Sequence, residues 1–208
     1  MLKAVRAILF DWHGVFDKIR FESLVEYLFT NANKSRLTQE EIKEILISIG
    51  SDDFTKGNVN TIKFWNVLSQ TFHVNSITAV RDIVLQVDRN EYLWNHIKSL
   101  YEYRIGLLSD CPRDKKDIIL TNLRLDDPFE FKLFSCCTHT NKEQDEFFME
   151  ACNQFNLLPK DVLFVDDSLK NVVKADSLGF ETFLFNWKTE VELEKKTIDF
   201  FSSLSIKI

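Results

Sequence analysis

The sequence predicts an α/β protein: a mainly parallel sheet with helices on both faces, carrying an inserted all-helical block. Three observations predict this. From about Asn90 onward, short apolar runs alternate with helical patterns, as in strand-helix-strand units. From about Asp17 to Arg89 no β-like run appears, and the segment is too long to be one crossover helix. Several apolar runs end in polar residues, at the strand ends where open parallel sheets bind ligands.

The first strand is Val5 to Phe10, five of whose six residues are apolar, followed by a turn at Gly14. Helical spacing then takes over. "FESLVEYLF" repeats apolar residues at three and four. "LTQEEIKEILISI" opens with Thr38 and places Glu41 three residues on, a capping box. "NVNTIKFWNVLSQTF" is a further helix beginning near Asn60, in which Trp65 and Phe72 are expected to pack the core of the block. The alternating part reads as helix "EYLWNHIKSLYE", strand "RIGLLS", helix "PRDKKDIILTNL" with Pro112 near its start, strand "FKLFSCC" and helix "KEQDEFFMEACNQF". Strand "DVLFVDD", helix "LKNVVKADSL" stopped by Gly179, strand "ETFLF" and helix "EVELEKKTIDFF" complete the chain. The expected division is a core of residues 1–16 and 90–208, with 17–89 inserted.

Composition sets the outer limits. The 208 residues are 45% hydrophobic, rich in Phe and poor in Gly and Pro, which suits one sizeable core and argues against disorder. The net charge of −6 and the lack of a basic block argue against a nucleic-acid partner. No stretch approaches the ~20 apolar residues of a membrane span. The N-terminus "MLKAVRAILFDWHGVF" is too broken by charge for a signal peptide. Cys111, Cys136, Cys137 and Cys152 match no zinc spacing, so reduced thiols and a cytoplasmic location are expected.

The strand-end rule gathers Asp11, Ser109, Asp110, Asp166 and Asp167 in one crevice. Phosphoryl transfer needs a nucleophile, charge neutralisation and a proton for the leaving group. Asp11 can attack phosphorus, and Asp166 and Asp167 can hold Mg2+, which prefers oxygen ligands. Lys142, after "FKLFSCC", offers a fixed positive charge. Ser109 and Asp110 are the candidate substrate-binding positions, Ser109 donating to phosphoryl oxygens together with backbone N–H groups. Each residue also has a plainer reading. Asp11 suits the turn before Gly14, the acid pair suits a helix cap, Lys142 suits a solvated surface and Ser109 suits a turn.

"ILFDWHGVF", "IGLLSD", "NKEQDEFF" and "VLFVDDSLKNVVKADSLGFETFLF" resemble, in order and spacing, the four motifs of the haloacid dehalogenase-like (HAD) hydrolases. "FTKGNVNTIKFWNVL" is similar to segments of that family's α-helical cap. The resemblance implies a Rossmann-like core, a cap that shapes substrate access, and a Mg2+-dependent phosphatase acting on a small phosphorylated metabolite through an aspartyl-phosphate. It assigns Asp11 as nucleophile, Ser109 as phosphate binder, Lys142 as charge stabiliser and Asp166 and Asp167 as metal-site acids.

Two positions depart from the family pattern. Glu143 follows Lys142 where proline is usual. His13 stands where family phosphatases place an aspartate that protonates the leaving group and then deprotonates water. The family residue at that position offers its backbone carbonyl to Mg2+, which leaves His13 among the expected metal ligands. Its imidazole, with an ordinary pKa near 6.5, is a candidate acid-base. The alternatives are altered chemistry or a catalytically impaired binding or regulatory protein. Phosphonate hydrolases carry alanine at this position and use a cap lysine, for which Lys56 is the candidate. Dehalogenases need no metal, which the acid pair argues against. His139 near Lys142, and His73 and His96 in helical stretches, read as loop, surface or partly buried residues.

Overall fold

The computed structural model describes residues 5–18, 21–32, 37–74, 77–123 and 127–207. The strands are β1 (Ala7–Phe10), β2 (Arg104–Ser109), β3 (Phe131–Phe134), β4 (Val162–Asp166) and β5 (Glu181–Leu184). They form one parallel sheet in the order β3-β2-β1-β4-β5. The chain builds outward from β1 to β3, then returns to the other side of β1 for β4. That reversal makes the gap between β1 and its neighbours a topological switch point.

The block between β1 and β2 contains α1 (Phe21–Asn31), α2 (Gln39–Ser48), α3 (Ser51–Thr55), α4 (Thr61–Phe72) and α5 (Ile77–Leu85). Next come α6 (Glu91–His96), continued by a 3-10 turn at Ile97–Leu100, then α7 (Arg113–Leu123) and the one-turn α8 (Ser135–Thr138). The last helices are α9 (Asp145–Phe155), α10 (Leu169–Ser177) and α11 (Glu190–Ser203). Among the described residues, no helix is long and apolar enough to cross a membrane.

Alternation in the central strands buries both sheet faces. Ile8, Phe10, Leu163 and Val165 join one cluster with Trp94 of α6, Ile119 of α7 and Phe200 of α11. Ala7, Leu9, Val162 and Phe164 join the other with Phe147 and Phe148 of α9 and Ala175 of α10. Both faces are therefore covered by helices, as the near-continuous apolar runs imply. The helical block has a third cluster of its own, containing Leu28, Leu46, Phe64, Trp65, Leu68 and Phe72. Phe54 stacks on Phe64 within it, with ring centroids 4.0 Å apart. The Thr38–Glu41 capping box is formed at the start of α2.

Two elements differ from the pattern-based reading. The run "FKLFSCC" is strand only to Phe134, after which the chain coils into α8. The Ser135 hydroxyl accepts from Cys111 N–H at 3.0 Å and donates to Thr55 O at 2.8 Å, which holds the turn between the sheet and the block. The segment after His96 tightens into the 3-10 turn instead of continuing α6. Helix α3 has only five residues, too few for a periodic signal.

The chain enters and leaves the block side by side. Asn90 donates to Val15 O at 3.1 Å and caps α6 through Leu93 N–H. Asp17 accepts from Asp88 N–H and lies 2.7 Å from Lys115 Nζ, with both side chains buried. Lys115 also donates to Gln86 O. One buried ion pair thus ties the β1 loop, the end of the block and α7 together. Lys115→Met is expected to cost about 3–5 kcal/mol, because it strands a buried carboxylate. The check is the urea midpoint at unchanged slope, with the added change Asp17→Asn recovering part of the loss.

Candidate active site

Asp11 follows β1 directly. Its N–H donates to Val165 O at 2.9 Å, extending the ladder one residue past β1 and fixing where the side chain starts. Asp166 ends β4, the neighbouring strand, and Asp167 follows. Carboxylate oxygens of Asp11, Asp166 and Asp167 all lie within 4.8 Å of one another. Lys142 reaches in from the segment before α9, with Nζ 2.6 Å from Asp11 Oδ1 and 2.8 Å from Asp166 Oδ2. Asp166 also accepts from Ser168 N–H at 2.8 Å and from the Asn171 amide at 3.1 Å. Asp110 accepts from Lys142 N–H at 3.3 Å, so the loop that carries the lysine hangs from the end of β2.

Charge in this crevice is unbalanced. Burial raises the Asp11 carboxyl well above its ordinary range, and the Asp166 and Asp167 charges push the same way against the pull of Lys142. Burial also pushes Asp110 up to about 6, again against Lys142. Desolvation works against the Lys142 ammonium, yet the surrounding carboxylates of Asp11, Asp166 and Asp110 raise its pKa overall. One ammonium therefore faces several carboxylates, an arrangement that favours a further cation.

The loop after Asp11 is tightly wound. Trp12 O accepts from the N–H groups of Val15, Phe16 and Asp17, and Gly14 N–H donates to Asp17 O at 2.8 Å. Gly14 has φ +77°, and a Cβ there would stand 2.1 Å from Asp167 Oδ2. Glycine is thus required both by the backbone and by the approach of the acid. His13 Nδ1 lies 3.7 Å from Asp17 Oδ2, on the pair already fixed by Lys115. Burial lowers the imidazole pKa from 6.5, and Lys115 and Lys142 push the same way, while the contact with Asp17 raises it. A quarter of the imidazole surface stays open, on a residue that lines a cavity between block and core.

Asp11, Asp110, Asp166 and Asp167 lie together at the strand ends, and Lys142 reaches in among them from the segment before α9. Ser109 is fully buried at the end of β2, and its hydroxyl has no hydrogen-bond partner among the described residues. Trp12 Nε1 is a second buried polar atom without a partner among the described residues. His139 instead caps α8 and pairs with Asn58 at 3.0 Å. His73 caps the end of α4, and His96 pairs with Tyr92 O at 2.7 Å. Lys56 is held 2.6 Å from Asp52, and that hydrogen bond raises its pKa, the opposite of what a Schiff-base lysine needs. Asp17, Lys115 and Asn171 were not legible from strand-end logic. Asn171 alone had a local signal, since it lies one turn into α10 on the side facing the acid pair.

A family model described as haloacid dehalogenase-like hydrolase matches residues 18–185. The chain belongs to this family. Among solved structures, a HAD family enzyme of Bacteroides thetaiotaomicron in a magnesium complex is 21% identical. The match covers 90% of this chain and 96% of that one, with a TM-score of 0.73. A HAD-like family hydrolase from Porphyromonas gingivalis is 22% identical over 99% of this chain and 100% of the other, with a TM-score of 0.72. An L-2-haloacid dehalogenase is 17% identical over 89% and 86%, with a TM-score of 0.62. The HAD-like hydrolase fold thus covers nearly the whole chain.

In this HAD-like hydrolase, Gly14→Ala is expected to cost more than about 1 kcal/mol from the positive φ. If Mg2+ binds at the three carboxylates, displacing Asp167 should also shrink the rise in melting temperature on adding it. Gly50 has φ +91° with open space around its Cβ position, so Gly50→Ala should cost stability and leave the Mg2+ effect intact. Thermal melts with and without Mg2+ check both outcomes.

Proposed function

We propose that this HAD-like hydrolase is a Mg2+-dependent phosphatase of small phosphomonoesters. The observation that carries the reading is the set of three carboxylates within 4.8 Å around Lys142. The residues suit the metal: the donors are oxygens, negative charge is in surplus and two of the acids are buried. Asp11, Asp166 and Asp167, with the His13 carbonyl, would hold it. When bound it would offset the charge of the phosphoryl group and of the acids around it.

The chain's own groups supply the rest. An Asp11 carboxylate oxygen forms a bond to phosphorus as the bond from phosphorus to the leaving oxygen breaks. Lys142 neutralises Asp11 and the incoming anion, and the orphan Ser109 hydroxyl donates to a phosphoryl oxygen. His13, held against Asp17, gives a proton to the leaving oxygen from its imidazolium form, which the lowered pKa makes the minor form at neutral pH, and then takes one from the water that cleaves the aspartyl-phosphate. Asp110 keeps Lys142 in place and lines the substrate cavity. The helical block of residues 17–89 acts as the cap over this site. The Bacteroides enzyme has also been crystallised with magnesium and inorganic phosphate, which supports the same ligands here. Four free cysteines fit a reducing compartment, the cytoplasm.

A dehalogenase reading has two observations in its favour: dehalogenases are among the similar structures, and no second carboxylate stands at position 13. Turnover of haloacids without metal, and of no phosphate ester, would establish it in place of ours. Asp11→Asn is expected to abolish phosphate release while the circular dichroism spectrum is unchanged. His13→Ala is expected to cost ~10²–10⁴-fold on alkyl phosphates, whose leaving groups need a proton, and much less on activated aryl phosphates. Equal losses in kcat/KM on both ester types, a quantity that stops at formation of the aspartyl-phosphate, would show that His13 transfers no proton to the leaving group.

A further inference from the structure

The cavity lined by His13 and Asp110 has a volume of about 290 Å³ and extends from these two residues into the helical block. Its block side is built from Leu46, Phe54, Phe64 and Trp65, with Val84 beside them. The polar groups of that wall are mostly spent. Trp65 turns its Nε1–H away to Asp114, at 3.1 Å, and so presents a ring to the cavity. The Thr55 hydroxyl donates to Asp52 O at 2.8 Å. Lys115 is consumed by Asp17 and Gln86 O. Ser51 is left as a hydroxyl on this side. Charged and hydrogen-bonding groups therefore collect at the core end, and the far end offers rings and methyl groups.

We infer that the substrate's leaving group is a compact, uncharged apolar body, a single ring or short branched chain on a phosphate head, and not a sugar, polyol or nucleoside. This rests on the phosphatase reading and names its substrate class. The phosphate head sits among the charged groups, and the apolar body projects past His13 into the block. A polyhydroxylated body of the same length would bury several hydroxyls against carbon, each at a cost of about tenfold or more in binding. An apolar body gains a few-fold for each methylene it buries. The volume lies at the small end of ligand pockets, ~300–1,000 Å³, which excludes long acyl chains from full burial.

The test compares 2-phenylethyl phosphate with glucose 6-phosphate in Mg2+. Both are primary alkyl esters, so their demand for a leaving-group proton is similar and the cavity decides between them. The expected result is a kcat/KM at least about 10²-fold higher for the phenylethyl ester. Val84→Thr, which adds a hydroxyl at nearly constant shape, should narrow the ratio severalfold. Equal or better turnover of glucose 6-phosphate would overturn the inference and leave the phosphatase reading standing. If neither ester is hydrolysed, turnover does not report on the cavity. Calorimetry with two inert phosphonates, 3-phenylpropylphosphonate and a polyhydroxyalkyl phosphonate of matched length, then decides the cavity by itself. Tighter binding of the phenyl compound supports the apolar assignment, and equal or weaker binding overturns it.

Discussion

The Lys142 ammonium is the interaction on which the site depends. It is almost completely buried and touches Asp11 after β1 and Asp166 at the end of β4. A lone buried ammonium or carboxylate would be neutralised by a pKa shift. Here each group makes the other tolerable, and the backbone N–H of Lys142 also ties Asp110 into the same arrangement. Three strand ends and the segment before α9 are thereby held in one relation. The remaining surplus of negative charge is the property that the proposed chemistry uses.

A second buried ion pair, Asp17–Lys115, does for the helical block what Lys142 does for the crevice. It lies where the chain enters and leaves the block, so the block is anchored next to the site. Around it, Asn141 donates to Asp52 at 2.8 Å, and Trp65 to Asp114, on other sides of the same seam. His13 sits between the two ion pairs, against Asp17 on one side and two residues from Asp11 on the other. Its orientation follows from the anchoring of the block and from the wound loop that needs Gly14.

These two fixed points divide the site into unlike halves. The core half concentrates charge, at strand ends where backbone groups and helix starts can satisfy it. The block half packs aromatic and branched side chains around its own small core and presents part of that core to the cavity. The proposed chemistry and the proposed recognition thus fall on different parts of the chain, each with its own apolar cluster. The segment that joins them carries His13.

Much of this was determined locally in the sequence. Continuous apolar runs specify strands buried on both faces, and three-four spacing specifies helices, because each pattern matches one backbone period. Thr38 with Glu41 specified a cap, and Gly14 a turn. The acids after the first and fourth strands were legible because ligand sites of parallel sheets lie at strand ends. Tertiary structure decided whatever joins residues distant in the chain. Asp17 and Lys115 are nearly a hundred positions apart and each reads as an ordinary surface charge; only their burial against each other makes them the anchor. The stop at Phe134 depends on a hydroxyl that bridges to Cys111 and Thr55, which no local pattern records. The apolar wall of the cavity is equally silent in sequence. Leu46, Phe64 and Trp65 have the spacing of ordinary core residues, and only the fit of block against sheet leaves one side of that core in a cavity shared with His13 and Asp110.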